Sequence, residues 1–252
     1  MRTTLRIGLT DDGALYHQRA TAMLHEMGEL ESTLRGAVAT VAGRLRVDVP
    51  GAVGRHVVGL ALPEFFSRYP DIVLELGSTD RSVDLIVVGV DCVIRGTLVS
   101  RPLGSFAVVT SVATAYLARH GIPHTLQNLQ GHRLVNFHSA KTGKIFPFDF
   151  AKGNAAHQIV RPHWVLCKDA NTYLAAGPAG MGLMQNPRTW VVSDLLASGQ
   201  LVWVMQDWSA GDLPMMVLYP RNSHLTARVS AFADWVTTLF HTEFEAVAQI
   251  AG

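Results

Sequence analysis

The 252-residue chain contains few cysteines and little net charge. Its two cysteines, Cys92 and Cys167, are far apart and each lies in an apolar stretch, so we expect buried, reduced thiols instead of a disulfide framework. Charged residues make up only 16% of the chain and the formal net charge is +1. This balance gives no electrostatic reason for the body of the chain to bind nucleic acid.

Long apolar runs are also missing. No run reaches the roughly 18 residues of a membrane span, and residues 1–4 lack the apolar stretch of a signal peptide. We therefore expect a cytoplasmic protein. Hydrophobic residues nevertheless make up 48% of the chain, and its length is ample for burying a core.

The motifs of common enzymes are missing as well. The 11 histidines form no HExxH pattern, the two cysteines form no metal spacing, and no GxSxG elbow occurs. Gly177, Gly180 and Gly182 resemble a nucleotide-binding set, but we expect them late in a helix, where they serve close packing and helix termination. The cysteines are candidate redox sensors, although apolar surroundings favour a raised pKa and low reactivity. We therefore expect no catalytic residue, no metal, no cofactor and no enzymatic activity.

The chain does have a long helical pattern near its start. Residues 5–9 alternate like a strand and run into Thr10, Asp11 and Asp12, which are typical helix N-cap residues. Apolar residues then recur at alternating spacings of four and three, which is the heptad stripe of a coiled coil. The members of this predicted dimerisation stripe are Tyr16, Ala20, Met23, Met27, Leu30, Leu34, Ala37 and Val41. The alternative is a surface helix packed on its own domain.

After Gly43 the pattern changes to short apolar strands that alternate with helices. The predicted strands of this half are residues 45–49, 72–76, 91–95 and 106–110, and the predicted helices are 53–66 and 81–89. Parallel strands need crossover connections, which are usually helices. The alternation therefore predicts a mainly parallel sheet.

The second half repeats this alternation. A helix is predicted at 113–120 and closed by Gly121. The further predicted strands are 134–137, 158–166, 201–205 and 215–219, and the further helices are 169–181, 189–198 and 225–244. No long polar linker separates these elements, so any two lobes must be joined by strands that cross between them.

Five local strings, in this order and spacing, resemble the LysR-type family of bacterial transcriptional regulators. They are residues 3–13 (TTLRIGLTDDG), 43–55 (GRLRVDVPGAVGR), 62–76 (LPEFFSRYPDIVLEL), 80–95 (DRSVDLIVVGVDCVIR) and 115–121 (AYLARHG). The first is similar to the second half of the wing of a winged helix-turn-helix. The second is similar to the opening strand and helix of an effector domain, and the last to the start of a second lobe.

The resemblance implies an α/β fold of the type 2 periplasmic-binding-protein class, with two lobes of mixed sheet flanked by helices behind a long linker helix. It divides the chain into a wing remnant (1–12), a linker or dimerisation helix (13–42), lobe 1 (43–105 and 213–252) and lobe 2 (106–212). A full-length member has about sixty further residues before Thr3, including the recognition helix that enters the major groove. Promoter DNA is therefore expected as a partner only where that segment is present.

The implied function is that of an effector-binding regulator that forms a homodimer or homotetramer and senses a small-molecule effector. Two alternatives remain open. One is a headless regulator that acts by mixed dimerisation with intact partners. The other is a solute-binding protein of the same fold, which predicts a signal peptide and no coiled-coil helix.

Ligands of open α/β folds bind beyond the carboxyl ends of the strands, near helix N-termini. The helix start at Gly51, Ala52 and Val53 should therefore present free N–H groups to the cleft between the lobes and favour an anion. The alternative is that Gly51 only forms a turn before a core helix. Family members often carry hydroxyls where this chain has Ala52 and Ala113. The effector must therefore rely on backbone amides and neighbouring polar residues, or be more apolar than the family's usual small acids.

The resemblance also implies roles for three polar residues near the cleft. Thr79 contacts the ligand or caps a helix. Arg95 binds a carboxylate or pairs with Asp80 or Asp84, and Lys168 touches the ligand, is exposed or pairs with Asp169. The complete predicted effector-binding set is Gly51, Ala52, Val53, Thr79, Arg95, Ser111, His138, Lys168 and Asp169. We expect them to bind a small anionic metabolite.

Overall fold

The computed structural model describes residues 10, 12–13, 16, 20, 23, 27, 41–80, 90–95, 101–139, 143–161, 164–219 and 226–249, with side chains to 247. Three predictions lie outside the described residues. They are the strand at 5–9, the helix at 81–89, and the stripe members Leu30, Leu34 and Ala37.

The helices and strands alternate along most of the described chain. Helix α1 consists of three consecutive segments, Gly51–Val53, the π-helical Gly54–Val58 and Gly59–Arg68. The other helices are α2 (Thr114–His120), α3 (Ala170–Ala176), α4 (Trp190–Ala197) and α5 (Ala227–Gln249). The strands are β1 (Gly43–Val49), β2 (Ile72–Ser78), β3 (Cys92–Arg95), β4 (Arg101–Ala113), β5 (Val135–Phe137), β6 (Phe148–Lys152), β7 (Ala155–Ile159), β8 (Val165–Cys167), β9 (Met184–Pro187), β10 (Leu201–Trp203) and β11 (Asp212–Leu218). Among the described residues, no helix combines the length and the apolar character that crossing a membrane requires.

The start of the chain is helical at every described position from Asp12 to Met27. The Gly13 N–H donates a hydrogen bond of 3.1 Å to the Thr10 hydroxyl, in agreement with the predicted helix start. Tyr16 and Met27 expose 77% and 63% of their surface, so the described chain does not cover this part of the stripe.

The predicted end of this helix was wrong. Val41 is not helical, although the heptad pattern includes it. Its side chain instead packs against the core beneath β1. Burial of Val41 in that core outweighs the heptad pattern, because burying one apolar side chain contributes more free energy than extending a helix by one residue.

The main sheet begins with parallel strands. β1 pairs in parallel with β2 on one side and with β3 on the other, as predicted. The prediction of a parallel sheet was wrong for the strand at 106–110, because β4 pairs antiparallel with β9, β10 and β11. The sheet order is β10-β4-β11-β3-β1-β2, with β9 also beside β4. Alternate side chains of β1 enter the core, since Leu45, Val47 and Val49 are at most 1% exposed.

Strand β4 belongs to both halves of the molecule. Its first part, from Arg101 to Ala107, pairs with β11, whereas its second part, from Val108 to Ala113, pairs with β9 and β10. Each half has hydrophobic clusters of its own, one around Phe65 and Phe232 and another around Tyr116 and Phe150. We call these halves lobe 1 and lobe 2. The predicted boundary between residues 105 and 106 falls inside this continuous strand.

Lobe 2 differs from the predicted elements in two places. The strand predicted at 158–166 is wrong, because β7 ends at Ile159 and β8 begins at Val165. β7 pairs instead with β6 in an antiparallel hairpin. The helix predicted at 169–181 is too long, because α3 ends at Ala176 and the backbone turns at Gly180.

Candidate functional site

Helix α1 begins directly after β1, at the carboxyl end of the central parallel strand. Pro50 is extended and stands at the N-cap, and the Gly54 N–H donates to its carbonyl at 2.8 Å. Gly51 and Ala52 fall in the first turn, where backbone N–H groups have no partner within the helix. These N–H groups lie at the positive end of the helix dipole. That they are presented to a ligand in the cleft stays a prediction.

The Asp80 carboxylate lies at this helix start and also reaches lobe 2. Its Oδ1 accepts a hydrogen bond of 2.9 Å from the Gly51 N–H. Its Oδ2 accepts a hydrogen bond of 2.6 Å from the Ala170 N–H, the first amide of α3. One carboxylate therefore joins the starts of two helices, one from each lobe.

Gly51 is tightly packed against lobe 2. A Cβ atom added there would lie 2.9 Å from Nδ2 of Asn171 and 3.5 Å from Oδ2 of Asp80. The Oδ1 atom of Asn171 is buried without a hydrogen-bond partner among the described residues. The lobes thus meet at Gly51, Asp80, Ala170 and Asn171, which we call the interlobe contact.

The start of α3 has a second carboxylate of its own. Oδ1 of Asp169 accepts a hydrogen bond of 2.8 Å from the Thr172 N–H. This backbone hydrogen bond is the main reason that the pKa of Asp169 is lowered. Asp169, a predicted site residue, is thus the N-cap of α3. The neighbouring Lys168 is exposed, and no ion pair of this lysine occurs in the described part of the chain.

Arg95 pairs with a residue that was not predicted. Its Nη2 donates to Oδ1 of Asp48 on the neighbouring strand β1, and its Nη1 donates to the Ile94 carbonyl at 2.8 Å. The predicted alternative partner Asp80 is engaged elsewhere, and Asp84 lies outside the described residues. Arg95 is therefore not a free cation of the cleft.

The other predicted residues are more scattered. The Thr79 N–H donates to the Val49 carbonyl at 3.0 Å, which places Thr79 beside the start of α1. Ser111 is fully buried in lobe 2, where its hydroxyl accepts from Nδ2 of Asn186 at 3.5 Å. His138 follows β5 and its N–H donates to the Cys167 carbonyl at 2.9 Å. The structure brings Thr79 to the interlobe contact and gives no contact there for Ser111 or His138.

Sequence reasoning missed the role of Asp80. The prediction considered this residue only as a partner of Arg95. A signal was present, because Asp80 follows the carboxyl end of β2, where acidic side chains commonly accept from helix N-termini. The partner amide at Ala170 is 90 residues away, and no local pattern predicts that contact.

The described residues give no positive sign of a metal site. No group of three or more histidine, cysteine or acidic side chains among them could hold a metal ion. Both cysteines are buried and unpaired. The backbone donors of the interlobe contact are the N–H groups of Gly51 and Ala170, and both donate to the Asp80 carboxylate.

One family model matches most of the chain, and relatives among the curated proteins match nearly all of it. The family described as LysR substrate binding domain matches residues 39–240. An uncharacterized HTH-type transcriptional regulator of Escherichia coli, YhjC, is 33% identical over 241 residues, covering 93% of this chain and 80% of the relative. An HTH-type transcriptional repressor of Pseudomonas aeruginosa is 32% identical, covering 95% of this chain and 77% of the relative.

Solved structures show the same fold. CrgA, a LysR-type transcriptional regulator of Neisseria meningitidis, matches with a TM-score of 0.71 and 23% identity, covering 95% of this chain and 83% of that chain. The full-length virulence activator AphB of Vibrio cholerae matches with a TM-score of 0.69 and 20% identity, covering 94% and 82% of the two chains. With the family match at residues 39–240, the chain belongs to the LysR-type transcriptional regulators and contains their effector-binding domain.

Proposed function

We propose that the chain senses a small metabolite with one anionic end, bound in the cleft between the lobes. The observation that carries this proposal is the convergence of α1 and α3 on the Asp80 carboxylate, through amides at 2.9 and 2.6 Å. A position between two helix starts has the donors and the dipoles that a ligand carboxylate requires. An anion at this position would interact with both lobes at once.

The proposed site consists of the first turn of α1 and the residues before α3. Gly51, Ala52 and Val53 supply backbone N–H groups, and the exposed Lys168 supplies a cation beside Asp169. Because Ala52 offers no hydroxyl, the backbone carries the recognition of the anion. Thr79 is adjacent, whereas Arg95, Ser111 and His138 act only indirectly, through the packing of their own lobes.

In this proposal the effector changes the closure of the lobes and thereby the geometry of a dimer. A ligand can shift such an equilibrium only by its differential affinity for the two arrangements. The exposed Tyr16, Met23 and Met27 supply the dimer contact. We assign the chain no catalytic role, and we place it in the cytoplasm.

A headless regulator that pairs with intact relatives is the second candidate, since it uses the same exposed stripe. Mixing this chain with a full-length, DNA-binding relative separates the two. A loss of specific DNA binding by the relative, restored when Met23 and Met27 are replaced by Glu in this chain, would favour mixed dimerisation. The solute-binding alternative is set aside by membership of the regulator family.

The test of the proposed effector class is a thermal-shift screen of small aliphatic and aromatic acids, each with its neutral amide as a matched control. An acid at 100 times its Kd should stabilise the fold by about 2.7 kcal/mol, whereas its amide should not. Calorimetry then measures the affinity. A best ligand that is neutral or cationic would contradict the proposal.

A further inference from the structure

The contact between the lobes depends on both oxygens of a single side chain. Asp80 follows β2 in lobe 1, and its loop is held by the hydrogen bond of 3.0 Å from the Thr79 N–H to the Val49 carbonyl. Oδ1 accepts from Gly51 in the same lobe, whereas Oδ2 accepts from Ala170 in lobe 2. A carboxylate can accept both hydrogen bonds, but an amide side chain has only one acceptor oxygen.

We infer that Asp80 is an interlobe latch, an internal carboxylate that holds the cleft closed and competes with an anionic ligand for the amides of Gly51 and Ala170. The inference rests on the proposed function for the class of ligand. It goes further by naming the group that the ligand must displace.

The surroundings of the latch fit a contact that opens. Gly51 lies close to lobe 2, because an added Cβ would lie 2.9 Å from Nδ2 of Asn171 and would require that amide to shift. Oδ1 of Asn171 is buried without a partner in the described part of the chain, so this contact leaves one polar group unsatisfied. Opening returns that oxygen to water, which lowers the cost of releasing Asp80.

The two ends of the latch are not equivalent. Gly51 and Asp80 belong to the same lobe, so their hydrogen bond can persist when the lobes move apart. The bond to Ala170 cannot persist, because it crosses between lobes. The helix start in lobe 2 keeps its own cap at Asp169, which accepts from Thr172 whether or not Asp80 is present. Release of Asp80 therefore leaves α3 capped.

The test compares the full chain with Asp80→Ala and Asp80→Asn, using acetate as the probe. Acetate reproduces the carboxylate that the alanine variant lacks. Amide chemical shifts of Gly51 and Ala170 report its binding, and chloride at equal ionic strength controls for salt. Asp71→Ala and Asp71→Asn are matched controls, because Asp71 is an exposed aspartate of lobe 1.

We expect acetate to bind Asp80→Ala at least about tenfold more tightly than the unchanged chain, because the internal competitor is gone. Asp80→Asn should also bind acetate more tightly, and the Asp71 variants should match the unchanged chain. If acetate affinity is equal in all five proteins, or if its addition leaves the Gly51 and Ala170 amides unshifted in Asp80→Ala, the latch is wrong.

A purely structural role for Asp80 predicts the opposite change in acetate affinity, because loss of Asp80 would then weaken acetate binding. Should Asp80→Ala fail to fold, which circular dichroism reveals, Asp80→Asn decides the question by the same comparison. The outcomes also separate the latch from the proposed function. If an acid binds the unchanged chain and both Asp80 variants equally, only the latch is contradicted. If acetate binds the Asp80 variants but no acid binds the unchanged chain, only the proposed effector class is contradicted.

Discussion

Arg95 of β3 donates a hydrogen bond from Nη2 to Oδ1 of Asp48 on the adjacent strand β1. The two side chains are only 14% and 10% exposed, so this is a largely buried ion pair between parallel strands. Nε of Arg95 is buried without a partner among the described residues. The guanidinium therefore depends on Asp48 for the compensation of its charge.

Removing one partner of this pair should strongly destabilise lobe 1. We expect Asp48→Ala to lower the free energy of unfolding by about 3–5 kcal/mol, because it leaves an uncompensated buried charge. The control is Asp207→Ala, which breaks an ion pair with Lys152 whose side chains are 77% and 55% exposed, and should cost at most about 1 kcal/mol. Urea unfolding followed by circular dichroism measures both. Similar losses in the two variants would contradict this account of Arg95.

The exposed stripe near the start of the chain should hold two copies together. Met23 and Met27 are 64% and 63% exposed, and burying one such side chain contributes about 1.5–3 kcal/mol. We expect Met23→Glu with Met27→Glu to convert a dimer into a monomer at micromolar concentration, as measured by light scattering. Val160→Glu with Ile122→Glu, which changes two exposed apolar residues of lobe 2, should leave the assembly unchanged. A monomeric unchanged chain would refute the dimer contact.

The cap of α3 should make stability depend on pH in the acid range. Hydrogen bonding from Thr172 lowers the folded-state pKa of Asp169 below its ordinary value of 3.8. A lowered carboxyl pKa stabilises the fold above 3.8, and this contribution is lost as pH falls through the folded pKa. We expect Asp169→Ala to cost about 0.5–2 kcal/mol at pH 7.

At about pH 2.5 the difference between Asp169→Ala and the unchanged chain should shrink, since the protonated carboxyl no longer accepts as a charged group. Thr189→Ala is the matched control, because Thr189 stands before α4 without making a side-chain cap hydrogen bond. Thermal unfolding at both pH values measures the effect. A difference that grows on acidification would show the opposite sign and exclude this role of the cap.

Both thiols should be unreactive in the folded chain. Burial raises the pKa of Cys92 and of Cys167, and the charges of Asp91 and Asp169 raise these pKa values further. Because the thiolate is the reactive form, we expect neither thiol to react with Ellman's reagent at pH 8, and both to react in guanidinium chloride. Ser67→Cys, at an exposed position, should add one rapidly reacting thiol. Rapid labelling of the unchanged chain would contradict this expectation and favour the cysteines as redox sensors.

Lys168 should contribute to anion affinity by its charge alone. It is exposed and lies directly before the cap residue Asp169, so reversing its charge should leave the fold intact. We expect Lys168→Glu to weaken binding of an acid ligand about tenfold or more, equivalent to about 1.4 kcal/mol, whereas Lys152→Glu should not. Calorimetric titration provides the comparison. Equal affinities would remove Lys168 from the site.

The central elements were predictable because their signals are local. The alternation of Leu45, Val47 and Val49 predicted β1, and the polar start at Thr10 predicted the first helix. The hairpin of β6 and β7 also had a local signal that was missed. Gly153 and Asn154 form a two-residue connection with φ of 58° at the glycine, and a Gly-Asn pair is typical of hairpin turns.

The contacts that define the site were not predictable in the same way. Asp48 stands between two buried valines of a parallel strand, which indicates a buried partner but does not identify it as Arg95. The bond from Ala170 to Asp80 depends on how the lobes meet, and this follows from packing over the whole chain. Local periodicity predicts which face of an element is buried, but it carries no information about contacts between distant elements.

The continuity of β4 also limits how the molecule can move. A strand that is hydrogen-bonded to β11 along one part and to β9 and β10 along the other cannot slide or come apart without breaking a ladder. It can still change its twist, because β-strands tolerate a wide range of twist. The pairing of β4 therefore favours twisting over sliding, and under the proposed function a ligand in the cleft would rotate one lobe relative to the other.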